Sequence, residues 1–261
     1  MNASPSLLRH SVDGLGPIRD ALAGVRARHG DGPTHGVPPG IVVPVSGTSQ
    51  WRPAAELTGP ARIDELLHAA SVRWPGGPHV AAALAFKSYA YWATLPAVIG
   101  FAAARRVPRV DAANTLARIH GVAPFVEIGL VRAELTALTS DPVPGAHLVD
   151  DDAALLAVLR EQLLDRHLGP LADELHARAR LGRRTLLGSL ASAVCYALLR
   201  ASDVLPGPAV PTAEMILKAL GVADLVDFSP DAQGRLRVQR RTCCLEFAAE
   251  TPRVCAGCVL S

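Results

Sequence analysis

The chain has 261 residues, a formal net charge of +2 and a hydrophobic content of 49%. That length buries a sizeable core without disulfide or metal staples, and the near-neutral charge gives no general case for nucleic-acid binding. Aromatic residues make up only 4%, and Ala, Leu and Arg recur in helix-like runs. The composition therefore predicts a mainly α-helical chain with a few short strands.

Residues 5 to 29 read as a first helix, because Leu7, Leu8, Val12, Leu15, Ile18, Leu22 and Val25 recur at three- and four-residue steps. Gly30 stops it. Residues 30 to 50, rich in Gly, Pro, Ser and Thr, read as an ordered loop with one short apolar piece, Ile41-Val42-Val43. Ile63 to Val72 is the next helix, broken by Trp74-Pro75-Gly76-Gly77-Pro78. His79 to Ala104 is the most apolar helix. Its run from Ser88 to Ala104 lies at or below the ~17–25 residues of a membrane span and contains Pro96 and Gly100, so a buried core helix is expected. Lys87 and Tyr91 share one face of it. Lys87 reads as snorkelling to the surface, with a site-lining role as the alternative.

Val122 to Ile128 and Leu130 to Leu135 are candidate short strands, and Leu130 to Thr139 reads equally as helix. Thr139 to Gly145 is a clear break. It divides an N-terminal part (1–140, helices plus short strands) from a helical part ending in a hairpin (141–241) and a C-terminal cysteine motif (242–261), unless all three form one compact unit. Asp150-Asp151-Asp152 caps a helix to about His167. Gly169-Pro170 interrupts it, and a further helix follows from Leu171 to about Ala179. Arg183 to Arg200 is a helix rich in small residues, with Cys195 among apolar neighbours as a core residue. Pro206, Pro208 and Pro211 form a linker, and Ala213 to Leu220 a short helix. Leu225 to Phe228 and Arg235 to Arg241 then read as a β-hairpin that runs directly into Cys243.

Four of the five cysteines follow in the last nineteen residues, as Cys243-Cys244-x10-Cys255-x2-Cys258. A CxxC turn puts two thiolates on one side of a tight loop, and Cys243-Cys244 supplies a second pair. Met1 to Arg9 has no apolar core of a secretory signal, so a cytosolic address is expected, where thiols stay reduced. Four thiolates suit one tetrahedral zinc or a [2Fe–2S] cluster. The adjacent pair favours the larger cluster, because neighbouring side chains diverge. Disulfides or free thiols are the remaining reading.

These residues carry a resemblance. Arg240-Arg241-Thr242-Cys243-Cys244-Leu245, then Cys255-Ala256-Gly257-Cys258, resembles the C-terminal signature of the FhuF-like ferric siderophore reductases, and its spacing matches in full. Ala82 to Tyr91 is similar to the family's central apolar helix, and Leu187 to Ser192 to its small-residue helix. Val259 stands where a Pro is common. The first 80 residues show no usable likeness.

The resemblance implies a [2Fe–2S] cluster on Cys243, Cys244, Cys255 and Cys258, and cytosolic one-electron reduction of an imported ferric siderophore, often of the hydroxamate type. Hard oxygen donors hold Fe(III) far better than Fe(II), so one electron frees the iron. The cysteines would be redox ligands, with no catalytic acid, base or nucleophile. Arg240, Arg241 and Thr242 are candidates to balance the cluster's charge or to dock an acidic ferredoxin; the alternative is a solvated hairpin face. No GxGxxG or P-loop is present, so electrons are expected from a separate donor protein. A transient association with the membrane near an importer is left open. His120, His167 and His176 read as surface or cap residues. The alternative function is a zinc-stabilised binding or scaffold protein without redox activity.

Overall fold

A computed structural model describes residues 13–43 and 50–260. The helical positions Leu7, Leu8 and Val12 lie outside the described residues. Among the described residues the fold is mainly α-helical with three small sheets. Helix α1 (Gly16–His29) buries Ile18, Leu22 and Val25, the face that the sequence periodicity marks. Helix α2 (Pro60–Arg73) ends at Trp74, and α3 (Pro78–Ala104) follows without a break at Pro96 or Gly100. Almost every residue of α3 from Val80 to Phe101 is buried, so this helix is the axis of the core. No helix among the described residues is long and apolar enough to cross a membrane.

Strands β1 (Arg52–Pro53), β3 (Thr115–Ile119) and β4 (Val126–Leu130) form an antiparallel sheet. Strands β2 (Arg106–Pro108), β5 (Leu135–Leu138) and β6 (His147–Val149) form a second, in which β5 and β6 run parallel. The two candidate strands at 122–128 and 130–135 are thus shifted. Val122 to Phe125 belongs to the turn between β3 and β4, and residues 131–134 to the turn before β5. Asn114 fixes the latter: its Oδ1 accepts from Arg132 N at 3.1 Å, and its Nδ2 donates to Arg109 O at 2.8 Å. The Thr139–Gly145 segment turns the chain between β5 and β6 of one sheet, and the main apolar cluster includes residues from Leu15 to Leu236, on both sides of that segment.

Helix α4 (Asp152–Arg160) begins at Asp151, whose carboxylate accepts from Ala154 N at 2.8 Å. The expected interruption at Gly169-Pro170 does not occur. A π-helical segment, Glu161–Leu168, carries the chain straight into α5 (Gly169–Ala179). Gly169 N–H bonds to Leu164 O across the wider turn, and the chain stays helical through Pro170. Helix α6 (Arg183–Ala201) packs along α3, and α7 (Ala209–Leu220) starts earlier than read from sequence, with Pro211 in its first turn. Strands β7 (Val226–Pro230) and β8 (Leu236–Arg240) form the hairpin.

His167 is a correction. It is buried at 3% exposure, not on the surface. Its Nδ1–H donates to Val110 O at 2.6 Å, so Nε2 is the acceptor for the Tyr89 hydroxyl at 2.6 Å. Burial lowers its pKa to about 4. His176 sits at the end of α5 against Leu181 O, 2.7 Å away, and His120 is half-buried beside Glu127.

Candidate metal centre

Strand alternation delivers the first of the site residues. Leu236, Val238 and Arg240 share one face of β8, and that face lies against α6. Arg240 is therefore drawn inward, 2% exposed, with its guanidinium donating to Thr242 O at 3.2 Å and Ser189 Oγ at 3.1 Å. Arg241, on the opposite face, is exposed and paired with Asp227. The three neighbours thus divide. Arg240 and Thr242 are buried beside the cysteines, and only Arg241 is on an outer surface.

The chain then folds back on the hairpin. Arg240 N donates to Gly257 O at 2.8 Å, and Gln239 Nε2 to Cys258 O at 2.5 Å. The Tyr196 hydroxyl of α6 donates to Ala256 O. Gly257 has φ +64, and a Cβ there would overlap Val238 O of β8. Only glycine lets the CxxC turn seat so closely. Gly188 of α6 plays a similar part, since a Cβ there would overlap the Thr242 side chain.

This folding brings Cys244 Sγ to 3.7 Å from Cys255 Sγ. Two thiolates sharing one tetrahedral ion at ~2.3 Å stand about 3.8 Å apart. The separation therefore suits one zinc or one iron of a cluster alike. Backbone N–H groups point at the other two sulfurs: Leu245 N at Cys243 Sγ, 3.3 Å, and Leu260 N at Cys258 Sγ, 3.5 Å. Such donors favour thiolates and tune clusters. Thr242 Oγ1 is buried without a hydrogen-bond partner, next in the chain to Cys243. Of the four cysteines, the structure gathers Cys244 and Cys255 into one group of possible ligand atoms, while Cys243 and Cys258 lie outside that group. Cys195 is fully buried on α6, and burial pushes its thiol up to about 12.

Comparison with protein-family models and with curated proteins finds no match.

Two residues join the centre that the cysteine spacing does not reveal. Lys87 of α3 points at the motif, its Nζ 3.7 Å from Cys244 Sγ and 2.5 Å from a Glu246 carboxylate oxygen. The surface-snorkelling reading of Lys87 is thereby corrected. Glu246 lies close enough to Cys244 and Cys255 that all three ligand atoms fall within 4.8 Å of one another. Burial, and then the neighbouring Cys244, push the Cys255 thiol pKa upward, and the Lys87 ammonium opposes them. A hint of the Lys87 contact lay in a lone cation within an apolar helix. Nothing local marks Glu246.

Beside the motif, α3 and α6 line a cleft of about 410 Å³, to which Cys255, Glu246 and Arg240 also contribute. Lys87 and Tyr91 both line it, as their shared helix face predicts. None of the other described clefts reaches residues 240–258.

Proposed function

We propose that this chain is a cytoplasmic ferric-siderophore reductase that carries a [2Fe–2S] cluster on Cys243, Cys244, Cys255 and Cys258. The observation that carries the reading is the pair Cys244 and Cys255, one from each half of the motif, folded together to 3.7 Å, with Cys255 lining a cleft. The motif's likeness to the ferric siderophore reductases supplies the substrate class, an Fe(III) complex of hard oxygen donors, with hydroxamate donors implied. A cluster with four thiolate ligands supplies one-electron transfer at low potential, around −400 mV in plant-type ferredoxins.

The chain's own residues have separate tasks. Lys87 places positive charge beside Cys244, and the backbone N–H groups of residues 245 and 260 do the same for Cys243 and Cys258. Arg240 adds a buried cation to the cleft lining. These groups lower the cost of gathering thiolates in a partly buried place. Glu246 holds Lys87 in position and lines the cleft together with Cys255. The electron comes from a separate donor protein such as a reduced ferredoxin and arrives on the chelated iron, which passes from Fe(III) to Fe(II) and is released. No residue needs to accept or donate a proton to the ligand.

A second reading is a zinc-stabilised binding protein without redox activity. The closeness of the Glu246 carboxylate to Cys244 and Cys255 favours it, since two thiolates and a carboxylate form a zinc donor set. Anaerobic purification separates the two. The reductase reading expects a red-brown protein, bleached by dithionite and re-oxidised by a ferric hydroxamate. A colourless protein with one zinc per chain would refute it. Cys255→Ser and Cys258→Ser should remove colour and Fe(II) release together, and Cys195→Ser should retain both.

A further inference from the structure

We infer that the cleft between α3 and α6 is a binding site for an anionic, aryl-bearing metal chelate, with Arg200 as its specificity residue. The inference rests on the reductase reading for its biological ligand, though the cleft's chemistry stands apart from it. Three cations line the cleft, Lys87, Arg200 and Arg240, against the single carboxylate of Glu246. Two of those cations are engaged: Lys87 with Glu246, and Arg240 with Thr242 O and Ser189 Oγ. Arg200 is exposed at the end of α6 and has no carboxylate partner among the described residues. Its guanidinium lies over the Tyr91 ring, 4.9 Å from the centroid, and 6.0 Å from that of Tyr196. It also has a side-chain hydrogen bond with Tyr91, and a guanidinium carries five N–H donors, so others are left to meet oxygen anions.

The walls point to an aromatic ligand. The chain holds only three Trp and three Tyr, and Trp74, Trp92, Tyr91 and Tyr196 all face this one space. Small side chains, Ser88, Ser189 and Ala193, keep it open. Rings and a few placed charges are the usual lining of small-molecule sites, and the volume is in their range of about 300–1,000 Å³. Aromatic faces select aryl groups, and the guanidinium of Arg200 selects negative charge. Phenolate or catecholate donors carry both features. An uncharged trihydroxamate complex, which the family resemblance implies, carries neither.

The test uses gallium(III), which has the charge of Fe(III) but takes no electron, so binding is read apart from reduction. Calorimetry on the purified protein compares the gallium complex of a hexadentate tris-catechol ligand with that of a linear trihydroxamate. The tris-catechol complex should bind the more tightly. Arg200→Gln should weaken it about tenfold or more, as expected for a lost charge-assisted contact. Ser88→Phe, from a half-buried wall position, should weaken both complexes by filling the space. Both variants leave the cysteines untouched. Equal or tighter binding of the uncharged complex, or affinity indifferent to both variants, would overturn the inference. Catechol-complex binding in a protein that proves colourless keeps the cleft and removes the reductase reading. A dithionite-bleachable protein whose affinity ignores Arg200 and Ser88 does the reverse.

Discussion

Replacing Gly257 by alanine tests how the CxxC turn is held. Gly257 has φ +64, and the left-handed conformation costs a non-glycine residue roughly 1–2 kcal/mol. Its added Cβ would also overlap Val238 O and crowd the Tyr196 hydroxyl. Overpacking of this kind costs about 1–3 kcal/mol more. Gly234, in the hairpin turn, has φ +77 and nothing within 4 Å of the added Cβ. Gly234→Ala thus carries the conformational cost alone. The difference between the two variants isolates the seating of the turn on β8. If the turn opens locally, its thiols become accessible in proportion to the opening equilibrium. An extra 1–3 kcal/mol makes their reaction with a disulfide reagent roughly 5- to 140-fold faster in Gly257→Ala than in Gly234→Ala. The assay is run on metal-free protein, so it does not depend on what the centre holds. Equal thiol reactivity in the two variants would refute the close packing of Gly257 on Val238 as the clamp.

Lys87→Met removes the cation beside Cys244, and should lower the midpoint potential in a spectroelectrochemical titration; an unchanged or raised potential would separate Lys87 from the centre. His167 has its folded pKa depressed to about 4 against an ordinary 6.5. The unfolded chain then binds the extra proton between those values, so stability is retained above pH 6.5 and lost as pH falls towards 4. The gap amounts to roughly 3 kcal/mol. Urea midpoints should therefore fall over that window in the wild type and fall less in His167→Gln. Equal pH slopes would place the burial cost elsewhere.

Much of this protein was legible from local patterns. A helical repeat needs only its neighbours, so the bounds of α2, α3 and α6 come close to those read from Ile63–Val72, His79–Ala104 and Arg183–Arg200. The β7–β8 hairpin follows from its turn residues, Pro230, Asp231 and Gly234. Even the inward turn of Arg240 was present in the alternation with Leu236 and Val238, although the run of arginines suggested a solvated face. The strands between residues 106 and 149 were less legible, because a three- to five-residue strand is defined by its partner. Asn114 sets the start of that turn through bonds to the backbone of 109 and 132, which no local repeat encodes. Propensity likewise mistook Gly169-Pro170 for a break, since a π-helical turn satisfies the backbone in a way that only the packed helix reveals.

The sequence by itself determined which reactive side chains are concentrated in residues 243–258. Four cysteines in CC-x10-C-x2-C, with a glycine inside the CxxC turn, supply soft sulfur groups whatever surrounds them. The tertiary structure alone decided their company. Lys87 reaches Glu246 across 159 positions of chain, and the cleft joins residues of α3, α6 and the cysteine motif. Ligand identity is a property of side-chain type and spacing. The charge, depth and access of a site belong to packing, where residues remote in sequence become neighbours.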